Sequence, residues 1–452
     1  MFALALQTLR FRRTSFIAST VALFFGAVIL TACGGLMETG IRHRVPPFAA
    51  VPPGTQQAAS RLISMSAVFG GIAAMVTVFI VGSTLALVVQ QRLGEMALLR
   101  AIGTLPGQLR RMIVVETLVV ALVAVALALV PGYLAGGWML EQIAASGVVT
   151  KGITYHAGWI PMVTAGGTSM LAALTAAFIA SRRAALSRPA DALAESRLQH
   201  HWLSGPRLAF AVLCLAGGTA LAVVTGTVMN GEVAASTAGP SAMLWAGGIA
   251  LLGPGLTKVL TGVFHRPLRA LFGLTGDLAM DNARARRIRI AGAVSPVMLA
   301  TGLSTALIYL QTTLSAGQGG DGVGAWVDYL LAGSIIAYAV ISLVNTLVVA
   351  AAERRREFAL QRLVGATPGQ ILAMTGIESL LVTIVGTVLG TFVAAATLAP
   401  FRMALDGSWL PRGPVWIYLS IVGFVGALTA LASVSATGAA LRTPPAEALA
   451  TL

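Results

Sequence analysis

Lysine occurs only twice in the 452 residues, as Lys151 and Lys258, and neither follows a glycine. The phosphate-binding loop Gly-x-x-x-x-Gly-Lys-[Ser/Thr], whose backbone N–H groups cradle phosphates while its lysine reaches them, therefore cannot be written anywhere in the chain. If ATP is spent on this protein's behalf, another polypeptide hydrolyses it. Five histidines, His43, His156, His200, His201 and His265, fall in predicted loops and lack the His-Glu-x-x-His or clustered His/Asp/Glu spacing of a metal site. They read as solvated side chains, with the adjacent His200-His201 the one pair worth testing. Cys33 and Cys214 both lie in apolar stretches and imply neither a disulfide framework nor a thiolate metal site. No residue is assigned a catalytic, cofactor-binding or metal-binding role.

The polar residues that stand out are those the surrounding sequence makes expensive. Glu116 and Glu378 each lie about one and a half turns into a long apolar segment. An ionised carboxylate at a bilayer centre costs about 2.5 kcal/mol or more. One reading makes each a polar switch or substrate contact. The other makes it a near-interface carboxylate satisfied by cytoplasmic arginines such as Arg110 or Arg111, and closeness to the cytoplasmic face favours this one. Asn345, in the middle of another apolar segment, is expected to form an interhelical hydrogen bond.

The elements that must position these residues are set by composition. Hydrophobic residues make up 57% of the chain and charged residues 10%, with a mean hydropathy of +0.85. A soluble domain carries roughly 25% charged residues, so this chain is solvated by lipid. The net charge of +14 is distributed as short arginine clusters between apolar runs, not as a basic stretch interleaved with aromatics, so no nucleic-acid partner is expected. A hydrocarbon core about 30 Å thick needs roughly 20 apolar residues per helix. That requirement is met at about 15–36, 64–90, 112–138, 159–181, 208–229, 241–260, 290–312, 329–352, 373–399 and 415–437. The expected fold class is an all-α polytopic membrane protein with about ten transmembrane helices. Placing both termini in the cytoplasm puts 24 of the 30 Lys and Arg residues on that side and 6 outside. This is the positive-inside pattern of a bacterial inner-membrane protein, and an error of one span would scramble it from that point on. One feature competes: Arg10–Arg13, an apolar run and Leu30-Thr31-Ala32-Cys33 resemble a lipoprotein signal peptide. A first helix that ends in small residues is favoured, because the sequence leading into it recurs later.

That recurrence is the main clue. Glu95-Met-Ala-Leu-Leu-Arg100-Ala-Ile-Gly103-Thr-Leu-Pro106-Gly107-Gln108 returns without a gap as Glu357-Phe-Ala-Leu-Gln-Arg362-Leu-Val-Gly365-Ala-Thr-Pro368-Gly369-Gln370, and the offset of 262 residues extends to Glu116 and Glu378. Leu9–Arg13, before the first span, is echoed by Ala283–Arg287 before the seventh. Pro189–Ala194, after the fourth span, is echoed by Pro445–Ala450 after the tenth. The chain therefore reads as four spans, two spans and four spans. The repeats lie six spans apart and share one orientation, so they are parallel and not inverted. The expected domains are 1–198, a first four-span module; 199–277, a two-span insert with a cytoplasmic linker; and 278–452, a second four-span module.

Between the second and third spans of each module the pattern changes. Leu93, Met96, Leu99 and Ile102 recur at three-residue steps and give one apolar stripe, with Glu95 and Arg100 off it. Gly103 is placed to end the helix at its C′ position, and in the second copy Thr367 and Pro368 suit the N-cap and first position of the next helix. Each copy predicts a short amphipathic cytoplasmic helix, a sharp corner and a helix re-entering the membrane. An interfacial helix resting on lipid headgroups would show a similar stripe, but two matched copies with the same turn favour a specific partner that also comes in twos.

At these residues the chain resembles the FtsX-like ABC transporter permeases, on Arg92-x-Gly-Glu95-x-Ala-Leu-Leu-Arg100-Ala-Ile-Gly103 and on Arg355-Arg-Glu-Phe-Ala-Leu-Gln-Arg362-Leu-Val-Gly365-Ala-Thr-Pro-Gly-Gln-Ile371, with the Pro-x-[Asp/Glu]-Ala-Leu tags at 189–193 and 445–449 in support. The resemblance covers about 1–198 and 278–452. It implies two four-helix modules whose coupling helices, about 92–102 and 354–364, dock into clefts of a separate dimeric ATPase. ATP and Mg would then belong to that partner, two copies of it per chain, and no cofactor to this chain. It implies ATPase-coupling roles for Glu95, Met96, Leu99, Arg100, Gly103, Glu357, Phe358, Arg362 and Gly365. Many members of the family carry a large extracytoplasmic domain. Here the corresponding loops are only about 27 residues (37–63) and about 16 (313–328), and the external stretch Val45-Pro46-Pro47…Val51-Pro52-Pro53 is stiff but too short to form one. The resemblance thus points to ATP-driven export or membrane extraction of a lipophilic compound or peptide, with a non-transporting signal relay as the alternative. A secondary transporter has too few intramembrane ionisable residues for ion coupling.

Overall fold

A computed structural model describes residues 13–43, 55–91, 96, 98–100, 102–147, 149, 153–186, 205–229, 234–285, 287–317, 325–352, 354–409 and 412–442. Eleven helices account for almost all of them: α1 (Arg13–Arg42), α2 (Thr55–Gln91), α3 (Pro106–Ala145), α4 (Trp159–Leu186), α5 (Gly205–Thr227), α6 (Ala234–Ala285), α7 (Arg287–Gly317), α8 (Ala325–Ala352), α9 (Arg355–Leu363), α10 (Pro368–Asp406) and α11 (Val415–Leu441). Ten of these, all but α9, are long and apolar enough to cross a membrane, and they coincide one for one with the ten expected spans. The chain is an all-α, multi-pass membrane protein.

The helices overrun the spans read from hydropathy. α3 has 40 residues, about 60 Å at 1.5 Å per residue and twice the hydrocarbon thickness. α1 continues to Arg42 and α2 begins at Thr55, so helix occupies much of what reads as the 37–63 loop. Hydropathy falls at the membrane surface, but the backbone hydrogen bonds of a helix do not depend on apolar side chains, so helix continues into the more polar flanks. For the same reason the linker expected after the sixth span is largely helical. α6 runs to Ala285 with a break at Gly273 (φ 56°, ψ −133°), and His265, expected in a loop, falls inside it. The proline-rich loop at 45–53, His200, His201 and the repeat pieces 9–12, 189–194 and 445–450 lie outside the described residues.

The chain divides into two compact units, residues 1–200 with 311–338, and residues 201–310 with 339–452. In the first, α1 packs on α2, α3 and α4, while α4 also lies against α2 and α3. Leu23, Val81, Leu85, Val120, Ala124 and Ala173 form its apolar centre. Ala18, Ala22, Leu23, Ala27 and Leu30 are buried on α1. Cleavage before Cys33 would remove all five, and Cys33 itself is buried. In the second unit, α10 packs against α5, α6 and α11. The two inserted spans thus lean on the third helix of the second module, through Trp245 against Phe392 (ring centroids 5.6 Å) among others.

Small residues let two helices of the second unit cross in close contact. A Cβ on Gly302 of α7 would stand 2.8 Å from the Gly390 carbonyl oxygen, and one on Gly390 of α10 would stand 2.7 Å from that of Met298. Backbone meets backbone here, the close approach that small residues permit between helices in lipid. Gly302→Leu is expected to force the two helices apart and to cost about 1–3 kcal/mol, as overpacking does. Thermal unfolding of the detergent-solubilised chain measures it. Gly247→Leu, at a glycine whose Cβ position meets open space, is the matched control and should leave the transition unmoved.

Candidate coupling site

α9 is built as a short amphipathic helix wedged at the base of the second unit. Phe358, on its inner face, is 1% exposed and packs with Ile371 of α10 and Ala440 of α11. Arg362, in its last turn, donates from Nη1 to the Leu441 carbonyl oxygen at 3.1 Å, which ties α9 to the end of α11. A cation at a helix C-terminus also meets the negative end of the helix dipole. α9 ends in a Schellman turn: the N–H of Ala366 bonds the Gln361 carbonyl (2.9 Å) and that of Gly365 the Arg362 carbonyl (3.1 Å). Gly365 has φ 102°, a conformation glycine adopts without a Cβ penalty. α10 then starts with a reciprocal capping box. Thr367 Oγ1 accepts from the Gln370 N–H at 3.3 Å, Gln370 Oε1 accepts from the Thr367 N–H at 2.9 Å, and Pro368 stands first in the helix.

The first copy makes the same corner. The N–H of Thr104 bonds the Leu99 carbonyl (3.1 Å), that of Gly103 the Arg100 carbonyl (3.0 Å), and Gly103 has φ 98°. Leu105 replaces Thr367 and offers no side-chain acceptor, so only Gln108 Oε1, accepting from the Leu105 N–H at 3.2 Å, remains of the box. Met96 is 2% exposed and packs with Val89, Leu109, Ile113 and Ala177, with Leu99 beside them. Arg100 is half-buried, as Arg362 is. Glu95 lies outside the described residues. The expected single stripe does not stay on one face, because three-residue steps on a 3.6-residue helix drift by about 60° each. Met96 and Leu99 face inward, while Ile102 is exposed.

What the corner leaves outward is apolar. Leu98 and Ile102 in the first copy, and Leu360 and Val364 in the second, are exposed at matched, i,i+4 positions. Met96 and Phe358 hold the short segment to its own bundle, and these four residues lie on its solvent side. Of the four, sequence reading singled out only Ile102, although the repeat marks them all: both pairs are apolar at the 262-residue offset.

The carboxylates sit just inside. Glu378 is buried, and its partner is Arg354, at the N-cap of α9, through Nη1 to Oε2 and Nη2 to Oε1 (3.3 Å for the second). The arginine therefore comes from the chain leading into α9 and not from the first turn of α10, as Arg110 and Arg111 would on α3. The equivalents of those two on α10 are Leu372 and Ala373. Arg110 itself stacks on Phe178 (3.7 Å to the ring centroid). Arg354 also reaches Glu357 Oε2 at 3.4 Å and lies 5.0 Å from the Phe358 ring. Burial pulls the Arg354 guanidinium down, but the Glu378 and Glu357 carboxylates outweigh it and hold it above its usual value. Glu116 is buried at the corresponding place on α3, and Asn345 is half-buried in the middle of α8. Among the described residues no three metal-ligating side chains converge.

At the far end of the first unit lies a second polar knot that the sequence did not announce. Glu38, buried on α1, accepts from the N–H groups of Gly158 (2.7 Å) and Ile160 (3.2 Å) and from Arg42 Nη2 (2.9 Å). It therefore caps the start of α4 from another helix. Thr39 Oγ1 bonds both backbone groups of His156 at 3.0 Å. Between them the Tyr155 ring fills the space over Gly35 and Gly136, and burial pushes its phenol well above the usual range. Glu38→Ala removes the acceptor of two partly buried N–H groups and is expected to cost about 1–3 kcal/mol. A lowered unfolding temperature, with faster hydrogen exchange at 158–162, is the measurable outcome.

Two segments of the chain, residues 67–188 and 329–445, match the model of the FtsX-like permease C-terminal family. The chain belongs to the FtsX-like permease family. The two matches begin 262 residues apart, the offset of the repeat, so this FtsX-like permease holds two family modules in one polypeptide. A search of curated proteins returned no match. FtsX-like permeases are the membrane subunits of ABC systems and work with ABC ATPases, and the matched segments enclose both glycine corners, both buried carboxylates and α9.

Proposed function

We propose that this FtsX-like permease is the transmembrane subunit of an ABC exporter that expels or extracts a lipophilic compound or peptide, with ATP hydrolysed on a separate ATPase bound at two sites per chain. The observation that carries the reading is the paired corner: two segments with the same Schellman turn, each presenting an exposed apolar pair at matched positions. One such patch would suit a lipid surface, whereas two related by a repeat suit two identical subunits. Charge distribution supports corners that face the cytoplasm of a bacterial inner membrane, with both termini on that side. ATP and Mg would be held by the partner. Closure of the ATPase pair would press both corners and rock the four-helix modules, and substrate would leave through the membrane interface. The short external loops favour export over a signal relay, which needs an external element to act on.

Native mass spectrometry of the chain co-purified with its ABC ATPase should give two ATPase copies per permease, and ATP turnover in nanodiscs should rise with a lipid-like compound. A chain that binds no ATPase would refute the permease reading. ATP turnover insensitive to every lipophilic compound tried, with intact assembly, would favour the relay.

A further inference from the structure

The strongest tie between the docking segment and the membrane helices of the second module is not apolar. Phe358 grips only the base of α10, at Ile371. Arg354 reaches two turns deeper, to Glu378, from the two-residue junction between α8 and α9, and holds Glu357 on α9 as well. Around this ion pair, packing between α7, α8, α10 and α11 leaves a cavity of about 80 Å³ lined by Ala293, Leu347, Thr375 and Ser433 among others. Where apolar contact is interrupted, a displacement of α9 must pass through the contacts that remain. A guanidinium gripping both carboxylate oxygens is directional, and low local dielectric makes it stiff. The sequence repeats the whole set: 262 residues before Arg354, Glu357 and Glu378 stand Arg92, Glu95 and Glu116. Arg92 and Glu95 lie outside the described residues, so the geometry rests on the second module alone. Neither hydropathy nor helix capping asks for an arginine and two glutamates at these places in both copies.

We propose that Arg354 is a positioning residue that transmits movement of the docking helix α9 to the third membrane helix α10, through its buried ion pair with Glu378. The proposal rests on the permease reading above and assigns it a mechanical part. Pressure on the outer face of α9 is delivered to α10 two turns inside the bundle, and not dissipated by bending the α8–α9 junction. Glu357 keeps the guanidinium attached to α9 itself, so the load enters the pair from the helix that receives it.

The test compares three forms of the full chain in nanodiscs, each with the co-purified ABC ATPase. Removing one partner alone leaves a buried charge and can unfold the bundle, so the informative variant replaces both, Arg354→Met with Glu378→Leu, which keeps the volume and takes a partner only from the more exposed Glu357. Arg354→Lys retains the charge without the two-pronged grip. The double variant is expected to bind the ATPase with unchanged Kd, while permease-stimulated ATP turnover falls about tenfold or more and amides 355–363 exchange about tenfold faster. Arg354→Lys should fall between it and the unaltered chain. A merely structural pair would leave the double variant, once folded, with normal turnover. Full stimulation in the double variant, or unchanged exchange along α9, overturns the proposal. If the unaltered chain binds no ATPase, the permease reading fails instead, and the exchange measurement, made without any partner, still decides whether Arg354 holds α9 to α10.

Discussion

Placing aspartate at Leu98, Ile102, Leu360 and Val364 together should abolish assembly with the ATPase, weakening it by at least about 100-fold in Kd, and leave the permease folded. All four side chains are exposed, so none contributes to the core and none should change the unfolding temperature by more than surface substitutions do. Their cost appears only on binding. A buried interface loses about 2 kcal/mol or more at each central apolar anchor, and a carboxylate taken into it without a partner adds a desolvation penalty. The expected pattern is asymmetric. The pair Leu98/Ile102 or Leu360/Val364 altered alone should remove one ATPase copy and leave the other. Titration of labelled ATPase against the permease in nanodiscs, read by fluorescence anisotropy, distinguishes two sites from one. Retention of both sites in the fourfold variant would show that the docking face lies elsewhere.

The second large effect concerns stability and separates one residue from a pair. Arg354→Ala takes the guanidinium partner from the buried Glu378, and breaking a buried pair in this way costs about 3–5 kcal/mol. Arg354→Met with Glu378→Leu should recover most of that loss, because two apolar side chains of similar volume satisfy the same space without solvation cost. Thermal or denaturant unfolding of the three forms, followed by tryptophan fluorescence, gives the order: unaltered and double variant close together, single variant well below. Glu378→Ala should be milder than Arg354→Ala, because Arg354 would keep Glu357 as a partner.

Much of this architecture could be read from the sequence, for reasons that residue types make plain. Ten spans follow from apolar length, and each has its helix. Both corners follow from glycine, since Gly103 and Gly365 take φ 98° and 102°, and from Thr367 and Pro368 at the next helix start. What stayed hidden depends on where long side chains go. Arg354 reads as one more basic residue of a membrane-flanking cluster, although its recurrence as Arg92, with Glu116 and Glu378 already singled out, was a usable signal. Glu38 carried no such signal, because its partners Gly158 and Ile160 lie about 120 residues away and offer only backbone. The tilt of the apolar stripe was missed for a geometric reason: a regular three-residue spacing looks like one face and is a spiral. Met96 and Phe358 are buried against their own bundle, which depends on neighbouring helices and not on local spacing.

The glycine crossing of α7 and α10 has a mechanical consequence. From Pro368 to Gly390 the helix is about 33 Å long, and from Gly390 to Asp406 about 24 Å, at 1.5 Å per residue. Helices whose backbones touch can turn about the contact more easily than they can slide past it, so α10 has a fulcrum set off centre. Were α10 to turn as a rigid rod about this contact, a push at the corner would be reversed in direction and shortened to roughly seven-tenths at its other end, by the ratio of the two arms. A nucleotide-driven closure of a few ångströms on one side would become a smaller, stronger, opposite stroke on the other.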